Sequence, residues 1–166
     1  MFALFDLPRG PDLGPPSGED DIKMVIDLRA AIELWSYLQL TERFHDAPYD
    51  NMALVDDLNT LLNTMGKAIA NQDSNAVIQA DYDFHRCIIA GVSNSLFVEF
   101  YDILRSFLLK EIEASQSRYM DRSKILEEHR ALLDALVSGN LQTAANAYQA
   151  HIDNIKNLLG VKDTAQ

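Results

Sequence analysis

The apolar residues of this chain recur with the period of an α-helix almost everywhere after Glu19. Only one proline, Pro48, falls in that stretch, and no alternating apolar and polar pattern persists for more than a few residues. Because helices and strands have different side-chain periods, this pattern predicts an all-α fold, an antiparallel bundle of about six helices. We place them, with boundaries loose by a few residues, at 19–44, 51–71, 73–91, 94–119, 121–138 and 140–159.

The segment before the first helix has a different composition. Residues 8–20 contain four of the five prolines and three of the seven glycines. This composition is typical of an extended linker and also of a frayed terminus. We therefore expect a linker or flexible segment over 1–20, one helical domain over 21–160 and a C-terminal tail over 161–166.

Length and charge limit the classes of function. A chain of 166 residues with 48% hydrophobic content can bury one sizeable core. Its formal net charge of −11 repels phosphate backbones and anionic membranes, so direct nucleic-acid binding by this segment is not expected. A single cysteine, Cys87, no basic signal-peptide region and no long apolar run together favour a cytoplasmic protein without a membrane span.

Four polar residues interrupt the apolar helical stripes. Asp81 and His85 lie four residues apart in the third helix and so share its inward face. His129 and His151 fall within the apolar faces of the last two helices. A polar group on a buried face costs free energy unless a partner inside the protein pairs it.

The turn near Gly139 and Asn140 fixes the relative heights of the last two helices. It is short enough to force an antiparallel hairpin, in which His129 lies about ten residues before the turn and His151 about eleven after it. At ~1.5 Å rise per residue the two histidines should face each other at nearly one level. If the third helix packs against this hairpin, an Asp plus three His site for a divalent metal results. Histidines satisfied by core hydrogen bonds are the alternative.

Arg29, Asn94 and the first helix as a whole each have two interpretations. Arg29 either forms an intrahelical ion pair with Glu33 at the surface or points its guanidinium inward at a ligand. The first helix, apolar on two sides, is either central or shared with a partner surface. Asn94 either caps the fourth helix or donates to a ligand from its amino end, and His45 is explained by the dipole at the end of the first helix.

Several motifs resemble the FCD domain, the carboxy-terminal effector-binding domain of FadR-type GntR transcription regulators. The similar segments are LRAAIE, DYDFH, GVSNSLF, EEHRALLDALVSGN and AHIDNI. The resemblance implies a bundle that binds one divalent metal through Asp81, His85, His129 and His151, with zinc favoured over nickel, iron or manganese. It also implies that a small organic acid completes the metal coordination, that Arg29 and Asn94 face this ligand, and that the domain forms a homodimer.

One feature of the family is missing from residues 1–20, which are too short for its amino-terminal winged helix-turn-helix. The expectation is either a fragment or an effector domain without its own DNA reader, with DNA bound only through that absent module. Two other functions stay open. A metalloenzyme acting on a small carboxylate would need an added acid or base, for which the inward stripes offer Glu33, and a purely structural dimerisation domain would need neither metal nor ligand.

Overall fold

The computed structural model describes residues 19–161, which form a bundle of α-helices. Their bounds are α1 Glu19–Asp46, α2 Met52–Ala70, α3 Ser74–Gly91, α4 Ser95–Ile103, α5 Arg105–Gln116, α6 Ser123–Val137 and α7 Leu141–Leu159. A short 3-10 turn, Pro48–Asn51, joins α1 to α2. No strand occurs within 19–161, so the all-α prediction is confirmed. The predictions for 1–18 and 162–166 concern positions outside the described residues.

The predicted helix over 94–119 is two helices. The helix is interrupted at Leu104, between α4 and α5, although the Leu104 backbone stays in the right-handed helical region with φ −81° and ψ −4°. No glycine or proline marks this break. The end of α4 is instead fixed from outside, because Asp102 accepts hydrogen bonds from Tyr82 and Arg86 of α3. These tertiary contacts hold the end of α4 against α3, and helical periodicity does not report them.

Helix α1 runs through the centre of the described bundle and contacts α3, α5, α6 and α7. Apolar side chains from these helices and α2 form the main core. Tyr37 and Leu40 of α1 are almost fully buried there, as are Leu136 and Ile152 of the last two helices. Burial of one such aliphatic side chain contributes roughly 1.5–3 kcal/mol, so the polar side chains that share this interior need a specific explanation.

The hairpin between α6 and α7 depends on a glycine. Gly139 has φ +65°, and a Cβ added there would lie 2.9 Å from the backbone of His45 at the end of α1. Asn140 then caps α7, since its side chain accepts a hydrogen bond of 2.9 Å from the backbone of Thr143. The turn therefore both reverses the chain and lets α1 approach the hairpin closely.

Helix α1 has two different sides. Arg29, Glu33 and Ser36 are buried, whereas Met24, Leu28 and Trp35 are 61%, 36% and 45% exposed. The helix is therefore central, as one of the two interpretations predicts, and it also has an exposed apolar side. None of the helices in the described range is long and apolar enough to cross a membrane.

Candidate metal centre

Helices α3, α6 and α7 bring His85, His129 and His151 together in the interior. Each side chain is at most 6% exposed, and one ring nitrogen from each lies within 4.8 Å of the other two. The rings of His129 and His151 have centroids 5.3 Å apart. The hairpin thus places the two histidines level with each other, as the residue counts on either side of Gly139 predict.

The second nitrogen of each ring is held by an acceptor. Nδ1 of His85 lies 2.8 Å from Glu33 Oε2, Nδ1 of His129 lies 2.7 Å from the Ile125 carbonyl, and Nδ1 of His151 lies 3.3 Å from Glu128 Oε2. Because Nδ1 donates in each case, the neutral ring keeps its lone pair on Nε2. All three Nε2 atoms are buried and have no hydrogen-bond partner among the described residues. Such orientation by an acceptor on the other nitrogen is typical of metal-binding histidines.

The Asp81 carboxylate borders the same group of nitrogens. Its Oδ2 lies 3.4 Å from His129 Nε2, and its Oδ1 lies 3.7 Å from His85 Nε2. Gln116 Nε2 donates to Oδ2 at 2.9 Å, and Arg29 Nη2 lies 3.4 Å from Oδ1. Burial opposes ionisation of Asp81, but His129 and Arg29 hold its pKa well below the usual range. Asp81 is therefore an ionised carboxylate beside His85 and His129.

Arg29 is buried, and the interpretation as a surface ion pair is wrong. Its side chain is 1% exposed, its Nε donates to Glu33 Oε1 at 2.8 Å and its Nη1 donates to Glu111 Oε2 at 2.7 Å. With the contact to Asp81, one guanidinium joins three carboxylates. The interior around Arg29 therefore contains more carboxyl groups than positively charged groups.

Glu33 connects α1 to three other helices. Its carboxylate accepts from Arg29 and Tyr101 on Oε1, and from Tyr148 and His85 on Oε2, at 2.6 to 2.8 Å. Burial would raise the pKa of Glu33, but Arg29 and His85 hold it far below the usual range. Glu33 is thus a saturated, ionised acceptor rather than a free acid or base.

The histidines differ in their tendency to take a proton. Burial lowers the pKa of His85 to about 4 and also lowers the pKa of His151. Burial acts in the same direction on His129, but the neighbouring Asp81 carboxylate outweighs it and raises the pKa. At neutral pH, His85 and His151 are therefore in the neutral form that binds a metal.

Sequence reasoning missed several residues that support the site. Glu111 comes three residues after the buried Leu108 and so lies on the inward face of α5. This helical position is the signal that could have identified it from the sequence. For the other supporting residues, helical periodicity does not distinguish a role at the site from ordinary packing. They are Tyr101, Gln116, Glu128 and Tyr148.

The other predicted positions lie apart from this cluster. Asn94 is at the amino end of α4, where it makes no side-chain capping hydrogen bond, and within 19–161 no hydrogen bond joins it to the histidines. His45 is exposed in the last turn of α1.

The donor set fits a divalent metal ion. Three imidazole nitrogens and a carboxylate are ligands that zinc and similar borderline metals prefer. The buried charges agree, because Arg29 faces the carboxyl groups of Glu33, Asp81 and Glu111. A dication would offset this excess of negative charge and supply a partner for each Nε2 atom.

These features define an all-helical binding domain built around a buried histidine cluster. The model of the FCD domain matches residues 24–154, so the chain belongs to the FCD domain family. The resemblance found in the motifs is thereby confirmed.

Two proteins with similar sequences are named as HTH-type transcriptional regulators. The uncharacterized HTH-type transcriptional regulator YcbG of Bacillus subtilis (strain 168) is 29% identical over 145 residues, which cover 87% of this chain and 54% of YcbG. The HTH-type transcriptional regulator LutR of the same organism is 23% identical over 146 residues, 85% of this chain and 63% of LutR. The chain thus spans only a little over half the length of these relatives.

Two solved structures share the fold. The metal-free FCD domain of TM0439, a candidate transcriptional regulator, superposes with a TM-score of 0.65 at 15% identity and covers 86% of this chain and 94% of that one. A candidate GntR transcriptional regulator from Rhodococcus sp. RHA1 gives a TM-score of 0.64 at 19% identity, with 88% and 67% covered.

Proposed function

We propose that this chain is the metal-dependent effector-binding domain of a GntR-type transcription regulator. One divalent metal, zinc in the first place, is held by His85, His129 and His151 with Asp81. The observation that carries the proposal is the convergence of three buried, unpartnered Nε2 atoms whose rings are each oriented through Nδ1. Leaving three such atoms without a partner would cost free energy that an ordinary packed core does not tolerate.

The effector in this proposal is a small organic acid whose carboxylate completes the metal coordination. Arg29 supports this choice, because its buried guanidinium lies 3.4 Å from the Asp81 carboxylate beside the proposed metal and is a group that binds carboxylates. Asn94 is included as a second ligand-binding residue on the basis of the family resemblance. When bound, the metal would supply positive charge for the acid, while Glu33 and Arg29 hold His85 and Asp81 in place.

A sensing role is favoured over catalysis by the state of Glu33. The sequence offers this residue as the acid or base that a metalloenzyme would need, yet its two oxygens accept four hydrogen bonds. In the proposed regulator, DNA is bound by a separate module, which agrees with the net charge of −11 on this chain. Effector binding would then bias the packing of helices that such a module reads.

We also infer a homodimer, formed through an apolar face that combines the outward sides of α1 and α4. Trp35 and Phe97 join the two helices in an edge contact with ring centroids 5.0 Å apart. The exposed apolar side chains on this dimer face are Met24, Leu28, Trp35, Leu96, Phe100 and Ile103. Exposed apolar side chains grouped on two neighbouring helices are typical of a protein–protein interface.

Metal analysis tests the central proposal. We expect purified protein to hold about one divalent metal ion per chain, and His129→Ala to lose most of it, because one of the three nitrogen ligands is removed. His45→Ala is the matched control, since it removes the exposed histidine and should keep the metal. Absence of metal from wild-type protein reconstituted with zinc would overturn the proposal.

Ligand screening tests the effector. Small carboxylates should raise the unfolding temperature of the metal-loaded protein and lose this effect when a chelator is added. Stabilisation that is unchanged by the chelator would contradict coordination of the acid by the metal.

A further inference from the structure

Five buried side-chain atoms in the described part of the chain have no hydrogen-bond partner. They are Ser36 Oγ, His85 Nε2, Glu111 Oε1, His129 Nε2 and His151 Nε2. The proposed metal supplies a partner for the three nitrogens. It leaves Ser36 and Glu111 unexplained.

The two remaining atoms are not equivalent. Ser36 lies within α1, where a serine hydroxyl can rotate to bond to the carbonyl of the preceding turn. A carboxylate has no such local partner. Glu111 is 3% exposed, and its other oxygen is already fixed by Arg29 Nη1 at 2.7 Å. Its Oε1 therefore needs a donor that residues 19–161 do not provide.

Glu111 is joined to the metal cluster through Arg29, and it also lines a cavity. The guanidinium of Arg29 bridges Glu111 to the Asp81 carboxylate. Glu111 helps to line a cavity of about 140 Å³ between α1 and α5, together with Ile22, Val25, Lys110 and Ala114. Such a volume is comparable to that of cavities that accept a small organic molecule.

We propose that Glu111 is a specificity-determining residue, whose Oε1 accepts a hydrogen bond from a hydroxyl or amino group of the effector. The effector is then a small acid that also bears such a donor. This inference rests on the proposed function, and it narrows the ligand class from carboxylates in general. A site with a buried acceptor discriminates strongly against analogues that lack the donor, because their binding leaves the acceptor unpaired.

Burial is consistent with this role. It raises the pKa of Glu111 even though Arg29 is adjacent, whereas the pKa values of Glu33 and Asp81 are lowered. Glu33 and Asp81 each have more than one donor, whereas Glu111 has Arg29 alone among the described residues and is also repelled by the carboxylates of Asp81 and Glu33. A donor from the effector would complete the environment of the Glu111 carboxylate in the same way.

The test compares acids that differ only at one carbon. Calorimetry on the zinc-loaded protein would measure propionate, lactate and alanine, and then succinate, malate and aspartate, with each enantiomer separately. We expect the hydroxy or amino member of at least one series to bind at least tenfold more tightly than the unsubstituted acid. The series also shows which donor, O–H or N–H, the site prefers.

The variant Glu111→Gln assigns the preference to this residue. Its amide oxygen can still accept from Arg29, but an N–H group replaces the free carboxylate oxygen, so the tenfold preference should narrow at least threefold. Glu113→Gln, which removes an exposed carboxylate from the same helix, should leave the preference unchanged. Circular dichroism and zinc content verify that both variants are folded and loaded.

Several results would overturn the role of Glu111. They are equal binding of substituted and unsubstituted acids by wild-type protein, a preference that persists in Glu111→Gln, binding of none of these acids by metal-loaded protein, or chemical conversion of a bound acid. Failure of the wild-type protein to hold zinc is a different result, which refutes the proposed function itself.

Discussion

At the scale of single residues, each histidine of the cluster depends on the acceptor at its Nδ1 atom. For His151 this acceptor is Glu128, whose other oxygen accepts hydrogen bonds from Tyr119 and Asn154 at 2.8 Å. The carboxylate is thereby fixed before it orients the ring. Residues that orient a ligand in this way contribute to metal affinity although they do not touch the metal.

We therefore predict that Glu128→Ala weakens zinc binding about 10- to 100-fold. The cause is loss of the acceptor that holds the His151 ring and its tautomer. Competition with a chromophoric chelator would measure the affinity. Glu127→Ala removes the adjacent, exposed carboxylate and should change the affinity less than twofold; equal losses in both variants would contradict the assignment.

The ionised carboxylates of the core predict sensitivity to acid in the metal-free protein. The pKa values of Glu33 and Asp81 are lowered in the folded state, while in unfolded chains they are about 4.3 and 3.9. The unfolded state therefore binds more protons below about pH 4.3. The stability from these carboxylates is present above that pH and is lost as the pH falls, by up to about 1.4 kcal/mol per pH unit for each proton.

The variant Glu33→Gln should abolish the proton that residue 33 takes up when the protein unfolds in acid. Urea unfolding between pH 4.5 and 3 would show a shallower loss of free energy, with the slope reduced by up to about 1.4 kcal/mol per pH unit at the acid end of this range. At pH 7 the variant should be several kcal/mol less stable, because an amide N–H group replaces a carboxylate oxygen and leaves buried donors of Glu33 without an acceptor. A slope identical to that of the wild type would show that Glu33 is not ionised in the folded protein.

Much of the site was predictable at this scale because helical phase reports which face a residue occupies. Asp81, His85, His129 and His151 all lie on the inward faces that their positions indicate. Phase does not report which side chain of a neighbouring helix lies opposite. The partners of the histidines, such as Glu128, and the burial of Arg29 depend on such contacts and had to come from the structure.

At the scale of helices, the turn at Gly139 determines whether His129 and His151 are level. We predict that Gly139→Ala lowers the free energy of unfolding by about 1–3 kcal/mol, because a Cβ would clash with the His45 backbone at a left-handed φ. Displacement of α7 along α6 should also weaken zinc binding. Chemical denaturation and a zinc titration would measure the two effects.

Gly160→Ala is the matched control for this turn. Gly160 has φ +72°, and nothing lies within 4 Å of an added Cβ. It should therefore show only the conformational cost, about 1–2 kcal/mol, with zinc affinity unchanged. A zinc affinity that falls equally in both variants would mean that the close approach to α1 is unimportant for the site.

Helix types were more predictable than helix ends. The apolar period identifies the helices because each must bury one face, and Asp73 caps α3 as a short polar residue at a helix start should. The break at Leu104 has no such local signal. Asp102, two residues before the break, is hydrogen-bonded to α3. Such contacts are visible only in the three-dimensional structure.

At the scale of the whole molecule, α1 connects the proposed metal site to the proposed dimer face. Its inward residues Arg29 and Glu33 hold Asp81 and His85, while Met24 and Trp35 of the same helix face outward. A helix packed in the core moves as a unit, so a shift that accompanies effector binding would reach the dimer face. Dimerisation and sensing can therefore be coupled through one element.

The dimer face gives a prediction for assembly. We expect light scattering to give about twice the chain mass of 18.6 kDa, and Met24→Glu or Ile103→Glu to raise the dimer dissociation constant at least tenfold. The reason is that each substitution places a charge in an apolar interface, and two copies place two like charges there. Both residues are exposed in the single chain, at 61% and 73%, so the fold should tolerate them.

Met120→Glu is the control for general loss of surface hydrophobicity. Met120 lies between α5 and α6 and is fully exposed, outside the dimer face. This variant should associate as the wild type does. If wild-type protein is monomeric at micromolar concentration, or if all three variants dissociate alike, the apolar sides of α1 and α4 do not form the dimer. Zinc content measured on the same samples separates loss of the interface from loss of the site, since Met24 and Ile103 are exposed whereas the histidines are buried.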